Sequence, residues 1–200
     1  MRKIITTTFV TLDGVMQAPG GSEEDRSEGF KYGGWQYDKY EDEISGKIMQ
    51  QFVAVPTDLL LGRRTYDIFA AFWPHHKDVP LFGKAFDNAK KYVVSHKNFS
   101  LSWDNSVLIT GDVVAKIKEL KKSDGPDLWV WGSGNLIQTL LKYNLIDRMH
   151  IWTHPVTIGT GKKLFAEGTR PELFKQVDAK ITTTGVVFAT YEPLGSLKAG

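Results

Sequence analysis

Three short segments carry residue types that can bind or move charge. In Leu59-Leu60-Leu61-Gly62-Arg63-Arg64-Thr65-Tyr66 an apolar run ends in a glycine and two arginines follow at once. That order reads as a buried strand running into a helix start. A helix start presents unpaired N–H groups and a partial positive charge to an anion. Arg63 and Arg64 add planar guanidinium forks that match phosphate. The plainer alternative is an ordinary strand–helix turn with solvated arginines. Asp127-Leu128-Trp129-Val130-Trp131-Gly132-Ser133-Gly134-Asn135-Leu136-Ile137 repeats the theme, with glycines at a helix start. A dinucleotide fingerprint G-x-G-x-x-G would need glycine at Ile137 and would normally lie in the first strand–helix turn. A conventional Rossmann domain is therefore disfavoured, and a glycine-lined cradle for pyrophosphate stays open beside tight helix–strand packing. The third segment, Tyr92-Val93-Val94-Ser95-His96-Lys97, places hydroxyl and cationic groups at a strand end, as a phosphate contact or merely a polar loop.

Other chemistries fall away. The chain has no cysteine, which excludes disulfides, thiolate nucleophiles and Cys-type metal sites. His75 and His76 are adjacent rather than one helical turn apart, with no carboxylate at ligand spacing, so no metal site is expected. Gly159-Thr160-Gly161-Lys162-Lys163 is rejected as a P-loop, because Val156 stands where the first glycine belongs and Lys163 where Ser or Thr belongs. Glu41, Asp42 and Glu43 fit a helix dipole better than catalysis. A net charge of +2 gives no basic field of the kind nucleic-acid binding relies on. No apolar run approaches the ~20 residues of a membrane span. The first residues read as a strand rather than a leader, since their apolar stretch is rich in threonine and soon meets Asp13. A cytoplasmic protein is expected.

These segments need rigid elements behind them. The chain has 200 residues, 42% hydrophobic and 24% charged, enough for one domain over 1–200 with a full core. Short β-rich runs alternate with helical spacing from end to end, the pattern of an α/β layer fold. Strands are expected at 2–10, 58–61, 91–95, 107–109, 127–131 and 149–153. Helices are expected where Tyr40, Ile44, Ile48 and Phe52 repeat, and over 65–72, 113–120 and 136–142. Residues 17–36 read as a long loop of the kind that serves as a lid over substrate. Residues 154–170 form a glycine-rich loop. A hairpin about Thr184-Gly185 joins 174–182 to 186–192.

Taken together the motifs resemble the dihydrofolate reductase superfamily, and within it the reductase domain of the bifunctional deaminase–reductase of riboflavin synthesis. Five pieces carry the resemblance in order: Thr11-Leu12-Asp13-Gly14-Val15, Leu61 to Tyr66, Val94 to Lys97, Trp131 to Leu136, and Pro155 through Gly159-Thr160-Gly161-Lys162-Lys163-Leu164-Phe165. The resemblance implies a three-layer α/β fold, with a mixed, mostly parallel sheet, helices on both faces and a C-terminal antiparallel hairpin. It implies NADPH as cofactor, laid across the strand ends. The positions matching Gly62, Arg63, Arg64 and Thr65 would hold the adenosine-side phosphates. Those matching Ser95, His96 and Lys97 would flank the 2′-phosphate. Gly132, Ser133, Gly134, Asn135 and Leu136 would cover the pyrophosphate, and Val10, Asp13, Gly14 and Val15 would lie near the nicotinamide. Family members often have Gly-Gly where this chain has Gly132-Ser133, and that peptide can be cis there. Dihydrofolate reductases hold the pterin with an acidic residue at the start of the first helix; here the region departs from that pattern and reads Gly34-Trp35-Gln36-Tyr37-Asp38, with Asp38 a candidate for the part, so folate specificity is not implied. No deaminase segment is present, so a stand-alone reductase is expected.

The expectation is then an NADPH-dependent reductase that reduces a C=N or C=O carbon of a small polar heterocycle, a pterin or an aminopyrimidine–ribose compound of the riboflavin-pathway type. A proton must accompany the hydride, with Asp13 the first candidate donor or substrate anchor and Thr153 or Asp38 the next. An Asp-Gly turn is the plainer role for Asp13. The rival is a non-catalytic NADP-binding module or sensor subunit. Alternating apolar side chains in the last hairpin (Phe174, Val177, Val186, Phe188, Tyr191) lead us to expect a homodimer.

Overall fold

The computed structural model describes residues 1–36, 40 and 42–198. Eight strands form one sheet: β1 (Ile4–Thr11), β2 (Thr57–Gly62), β3 (Lys91–Val94), β4 (Ser106–Ile109), β5 (Asp127–Trp131), β6 (Arg148–His154), β7 (Glu172–Ile181) and β8 (Val187–Ser196). Their spatial order is β4-β3-β2-β5-β1-β6-β8-β7. The first six run parallel, and β8 and β7 close one end antiparallel. Among the described residues five α-helices cover the sheet: α1 (Glu43–Val53), α2 (Arg63–Phe72), α3 (Phe82–Asn88), α4 (Val113–Lys122) and α5 (Gly134–Lys142). The expected architecture is therefore the one observed.

Parallel strands covered on both faces lose the strict in–out alternation of a half-exposed strand. Hence Leu59, Leu60 and Leu61 are all fully buried on β2. Alternation still decides which layer each side chain joins. Ile4, Val10, Leu60, Leu128, Val130 and Met149 pack with Ile117 of α4 and Leu136, Ile137 and Leu140 of α5. On the opposite face Ile5, Leu59, Leu61, Trp129 and Trp131 pack with Tyr66 of α2 and Phe86 of α3. Trp152 and Phe188 on that face meet Ile48 of α1.

Helix starts follow the caps. Asp42 caps α1, accepting the Ser45 N–H at 2.7 Å while Ser45 Oγ accepts the Asp42 N–H at 3.0 Å. Tyr40, which the spacing placed in this helix, thus precedes it. Asp112 caps α4 by accepting the Ala115 N–H.

Two loops behave differently from plain connections. Residues 17–36 carry a small core of their own, in which Ala18, Phe30 and Trp35 are buried with Val15. Trp35 Nε1 donates to the Gln17 carbonyl at 2.8 Å. The loop 154–170 lies against it, with Val15 and Lys163 forming an antiparallel bridge. In the hairpin, Val186 and Phe188 belong to the core against α1, and Phe174 and Tyr191 pack partly on the aliphatic core. Of the five apolar residues expected to face outward, Val177 is the one that is exposed. The correction has a simple cause: the strand next to β6 is covered by α1, so half of its side chains are spent inside the monomer.

Candidate functional site

The parallel strands end at one edge of the sheet, and the three charge-bearing segments all lie there. Crossovers from β2 and β5, which are neighbours, leave to opposite faces, since α2 packs with one core and α5 with the other. Such a divergence opens a crevice at the carboxyl ends of the strands, where α/β folds bind their ligands. Here the crevice is bridged by one hydrogen bond, from the Gly62 N–H to Ser133 Oγ at 2.9 Å. A Cβ on Gly62 would sit 3.3 Å from that oxygen, a tight approach to which the Ser133 side chain would have to yield by a few tenths of an ångström. Gly132 and Ser133 are both in the left-handed region, at φ +63 and +66. Glycine adopts this freely and serine does so at a cost. The Gly132–Ser133 peptide is trans.

The helices that begin at this crevice lack what α1 and α4 have. No side chain caps α2 or α5, nor the short α3 elsewhere, whereas Asp42 and Asp112 cap α1 and α4. Uncapped first-turn N–H groups retain their capacity for an anion. The chemistry of the donor set thus fits a pyrophosphate: two adjoining amide-rich helix starts, the Thr65 hydroxyl near Gly132, and Arg63 and Arg64 on the rim.

The cations are partly engaged already. Arg63 pairs with Asp67 at 2.7 Å and lies over the Phe99 ring at 3.5 Å, joining the α2 start to the loop after β3. His96 and Lys97 in that loop are exposed, while buried Ser95 spends its hydroxyl on Lys97, donating to its carbonyl at 2.7 Å. Arg64 Nη1 donates to Asp25 Oδ1 and Ser27 Oγ, both at 2.7 Å. Lys162 Nζ reaches the same carboxylate from the other side, 2.8 Å from Asp25 Oδ2.

Asp13 occupies the turn between β1 and the loop. Its carboxylate accepts from Thr11 Oγ1 at 2.5 Å, from the Gly159 N–H at 2.7 Å and from the Ile158 N–H at 3.2 Å. These donors, the Thr11 hydroxyl foremost, hold its pKa down at about 2. The Gly14 N–H donates to the Thr11 carbonyl, closing the turn that the Asp-Gly pair signals. Val10, Val15 and Leu136 have their side chains in packed clusters and offer the edge only backbone groups. Asn135 is exposed beside Gly134 at the α5 start.

Thr153 shares its sheet face with Met149 and Ile151, on the α5 side. The other face of β6 ends in His154, buried among Phe9, Trp35 and Tyr40 with ring centroids 5.8, 5.3 and 5.1 Å away. Burial pushes the His154 pKa down, against the raising effect of the carbonyls beside it. Asp38 lies outside the described residues. Among the described residues no three histidines or carboxylates converge as a metal-ligand set.

The sequence profile of the RibD C-terminal domain matches residues 2–188, nearly the whole chain. The chain belongs to the RibD C-terminal domain family. Among relatives of this family member, the uncharacterized protein YyaP of Bacillus subtilis (strain 168) is 26% identical over 197 residues, covering 95% of this chain and 94% of that one. A crystal structure of a protein from Shewanella sp. PV-4, assigned provisionally to riboflavin biosynthesis, matches at TM-score 0.69 and 21% identity, covering 96% of this chain and 98% of that one. Dihydrofolate reductase from Enterococcus faecalis, complexed with NADP(H) and RAB-propyl, matches at TM-score 0.60 and 12% identity over 96% of each chain. At those identities the two structures show the fold, and the family is of reductase type.

Within this RibD C-terminal domain, reading the sequence missed Asp25, Ser27, Lys162 and His154. Lys162 lay in a segment dismissed as a failed P-loop, and its partner is 137 positions away. His154 ends a strand without any motif; its signal is the buried aromatic surround, which only the fold creates.

Proposed function

We propose that the chain is an NADPH-dependent reductase acting on a small polar heterocycle of the pterin or aminopyrimidine–ribose class. The observation that carries this reading is the pair of uncapped helix starts at the β2/β5 crevice, rimmed by Arg63 and Arg64. The N-termini of α2 and α5 would hold the cofactor's pyrophosphate, and Arg63, His96 and Lys97 its 2′-phosphate. NADPH supplies the hydride when bound, and the protein's share is to orient and to exclude water. The ring-lined end of β6 around His154 and Trp35, on the α1 face, is where a planar heterocycle would stack. Asp13 acts as a positioning residue. With a pKa of about 2 its carboxyl carries no proton at neutral pH, and it fixes Ile158 and Gly159 beside the β1 end. We infer further that the chain forms a homodimer. Leu173, Val177 and Ile181 are exposed apolar side chains on β7, a ten-residue edge strand with one side of its ladder open.

The test is NADPH oxidation, followed by loss of the nicotinamide absorbance, over a panel of pterins and aminopyrimidine ribosides. Turnover of at least one compound is expected. Tight NADPH binding with no oxidation across the panel would favour a non-catalytic nucleotide module, and no binding at all would remove the reading. Light scattering should give twice the chain mass.

A further inference from the structure

Asp25 stands between two cations that the crevice would otherwise present to a ligand. Arg64 Nη1 lies 2.7 Å from Oδ1 and Lys162 Nζ 2.8 Å from Oδ2, and Ser27 Oγ and the Ser27 N–H donate to Oδ1 as well. The three partners come from three separate segments: the loop 17–36, the first turn of α2, and the loop 154–170. The carboxylate is the inner member, with 14% of its side chain exposed, against 58% for Arg64 and 28% for Lys162. An incoming anion therefore meets Arg64 first. Two cations face this one carboxylate, while the neighbouring Glu24 carboxylate is turned to the Gly20 and Gly21 N–H groups.

We propose that Asp25 is an internal competitor for a phosphate site made of Arg64, Lys162 and the first turn of α2, so that phosphoanion binding releases the 25–27 segment from α2. The inference rests on reading this edge as a phosphate site, and it adds Lys162 to that site and a coupling to the loop. A carboxylate brings one negative charge, and a pyrophosphate brings more than one. Each phosphate oxygen can also accept from Arg64 in the paired geometry that Asp25 uses with one oxygen only. A second tether on the segment is neutral: Gln17 Nε2 donates to the Asp25 and Ser27 carbonyls at 3.1 Å, and Gln17 Oε1 accepts the Lys162 N–H at 3.0 Å. Once the carboxylate loses Arg64 and Lys162, the segment opens more often against these weaker bonds. When a competing group holds a site for most of the time, the observed affinity falls by the fraction left open.

The test titrates inorganic pyrophosphate and, separately, NADPH into the wild type, Asp25→Asn and Lys162→Met. Tryptic cleavage after exposed Arg26 reports release of the segment. Asparagine retains the Oδ1 acceptor for the Ser27 N–H, so the loop turn survives the substitution. Asp25→Asn should bind pyrophosphate about tenfold more tightly than the wild type, as expected for a competitor that closes the site nine-tenths of the time. Lys162→Met should bind it more weakly, and pyrophosphate should speed cleavage after Arg26 in the wild type but not in Asp25→Asn, which is cut fast from the start. Unchanged or weaker binding by Asp25→Asn, or cleavage indifferent to pyrophosphate, overturns the proposal. If the pyrophosphate effects hold while NADPH fails to bind, the competitor stands and the NADPH reading falls. If NADPH binds the wild type and Asp25→Asn alike, the NADPH reading stands and the competitor falls.

Discussion

On one side of the sheet α4 and α5 close the layer with aliphatic side chains, while on the other α1, α2 and α3 close it with rings. The aliphatic layer (Ile117, Leu128, Val130, Ile137, Leu140) is fully buried. The ring layer packs Phe52 against Trp129 at 4.8 Å and against His150 at 4.7 Å, and Trp152 against Phe188 at 4.7 Å. Branched aliphatics interdigitate and leave little space, whereas rigid rings meet at fixed angles and carry polar edges. Accordingly the ring layer holds both buried sheet imidazoles, His150 and His154. It also borders a cavity of ≈ 350 Å³ lined by Phe52, Arg148, His150, Phe188 and Thr190. The difference teaches which side of the sheet is silent packing and which side has rings to offer a planar ligand.

The contrast is open to attack first on its quiet side. Leu140→Ala removes a fully buried side chain from α5, and such truncations cost about 3 kcal/mol within a range of 2–5. Denaturant unfolding should show that loss, and NADPH affinity of the folded variant should not move. A change in affinity would mean that the aliphatic layer is not silent.

On the ring side the sharper probe is acid. Burial, with Arg148 adding repulsion, pushes the His150 pKa down from 6.5 to about 4. Between those values the unfolded chain takes a proton that the folded one refuses, so stability falls as pH drops from 6.5 towards 4 and levels below. The loss amounts to roughly 3 kcal/mol for one such group. His154, shifted in the same direction, adds to it. Chemical denaturation across this window should show the slope, and His150→Gln should flatten it. A flat wild-type profile would mean that the imidazole is not sealed in the ring layer.

A smaller effect is expected at the edge where the layers meet. Asp13→Asn replaces charge-assisted bonds to Ile158, Gly159 and Thr11 by neutral ones, at a cost of about 1–2 kcal/mol. The wild-type contribution is present above the unfolded value of 3.8 and is lost only as pH falls through about 2. If Asp13 positions the loop, catalytic turnover should fall without any change in the pH dependence of the rate between 4 and 8. A rate that tracks a group titrating in that range and vanishes in the variant would restore Asp13 as the proton donor.

Much of this was legible in the sequence, for physical reasons that differ from piece to piece. Buried parallel strands announce themselves as apolar runs, so β2 and β5 were found within a residue of their bounds. The glycines at 62 and 132 marked the two turns: Gly62 approaches Ser133 closely, and Gly132 takes a left-handed backbone that glycine adopts most freely. The fate of the last hairpin was misjudged, since alternation alone does not tell which face a neighbouring helix covers. Asp25, Ser27 and Lys162 were invisible because their chemistry is made by loops that meet only after the sheet has brought their ends together. Asp13 was visible as a residue and as an Asp-Gly turn, but not the amides of Ile158 and Gly159 that reach its carboxylate from the far end of the chain.

The central claim is that the uncapped helix starts and their arginines hold NADPH at the carboxyl edge. It is tested by titrating NADPH and NADH, through nicotinamide fluorescence, into the wild type and the Arg63→Ala/Arg64→Ala double variant. The two cofactors differ by one 2′-phosphate, and each charge-assisted hydrogen bond contributes about 1.5–3 kcal/mol before screening. We expect NADPH to bind about a hundredfold more tightly than NADH, less at higher salt, and the double variant to lose more NADPH than NADH affinity, so that most of that gap closes. Equal wild-type affinities, or a variant that loses both cofactors alike, would contradict the account.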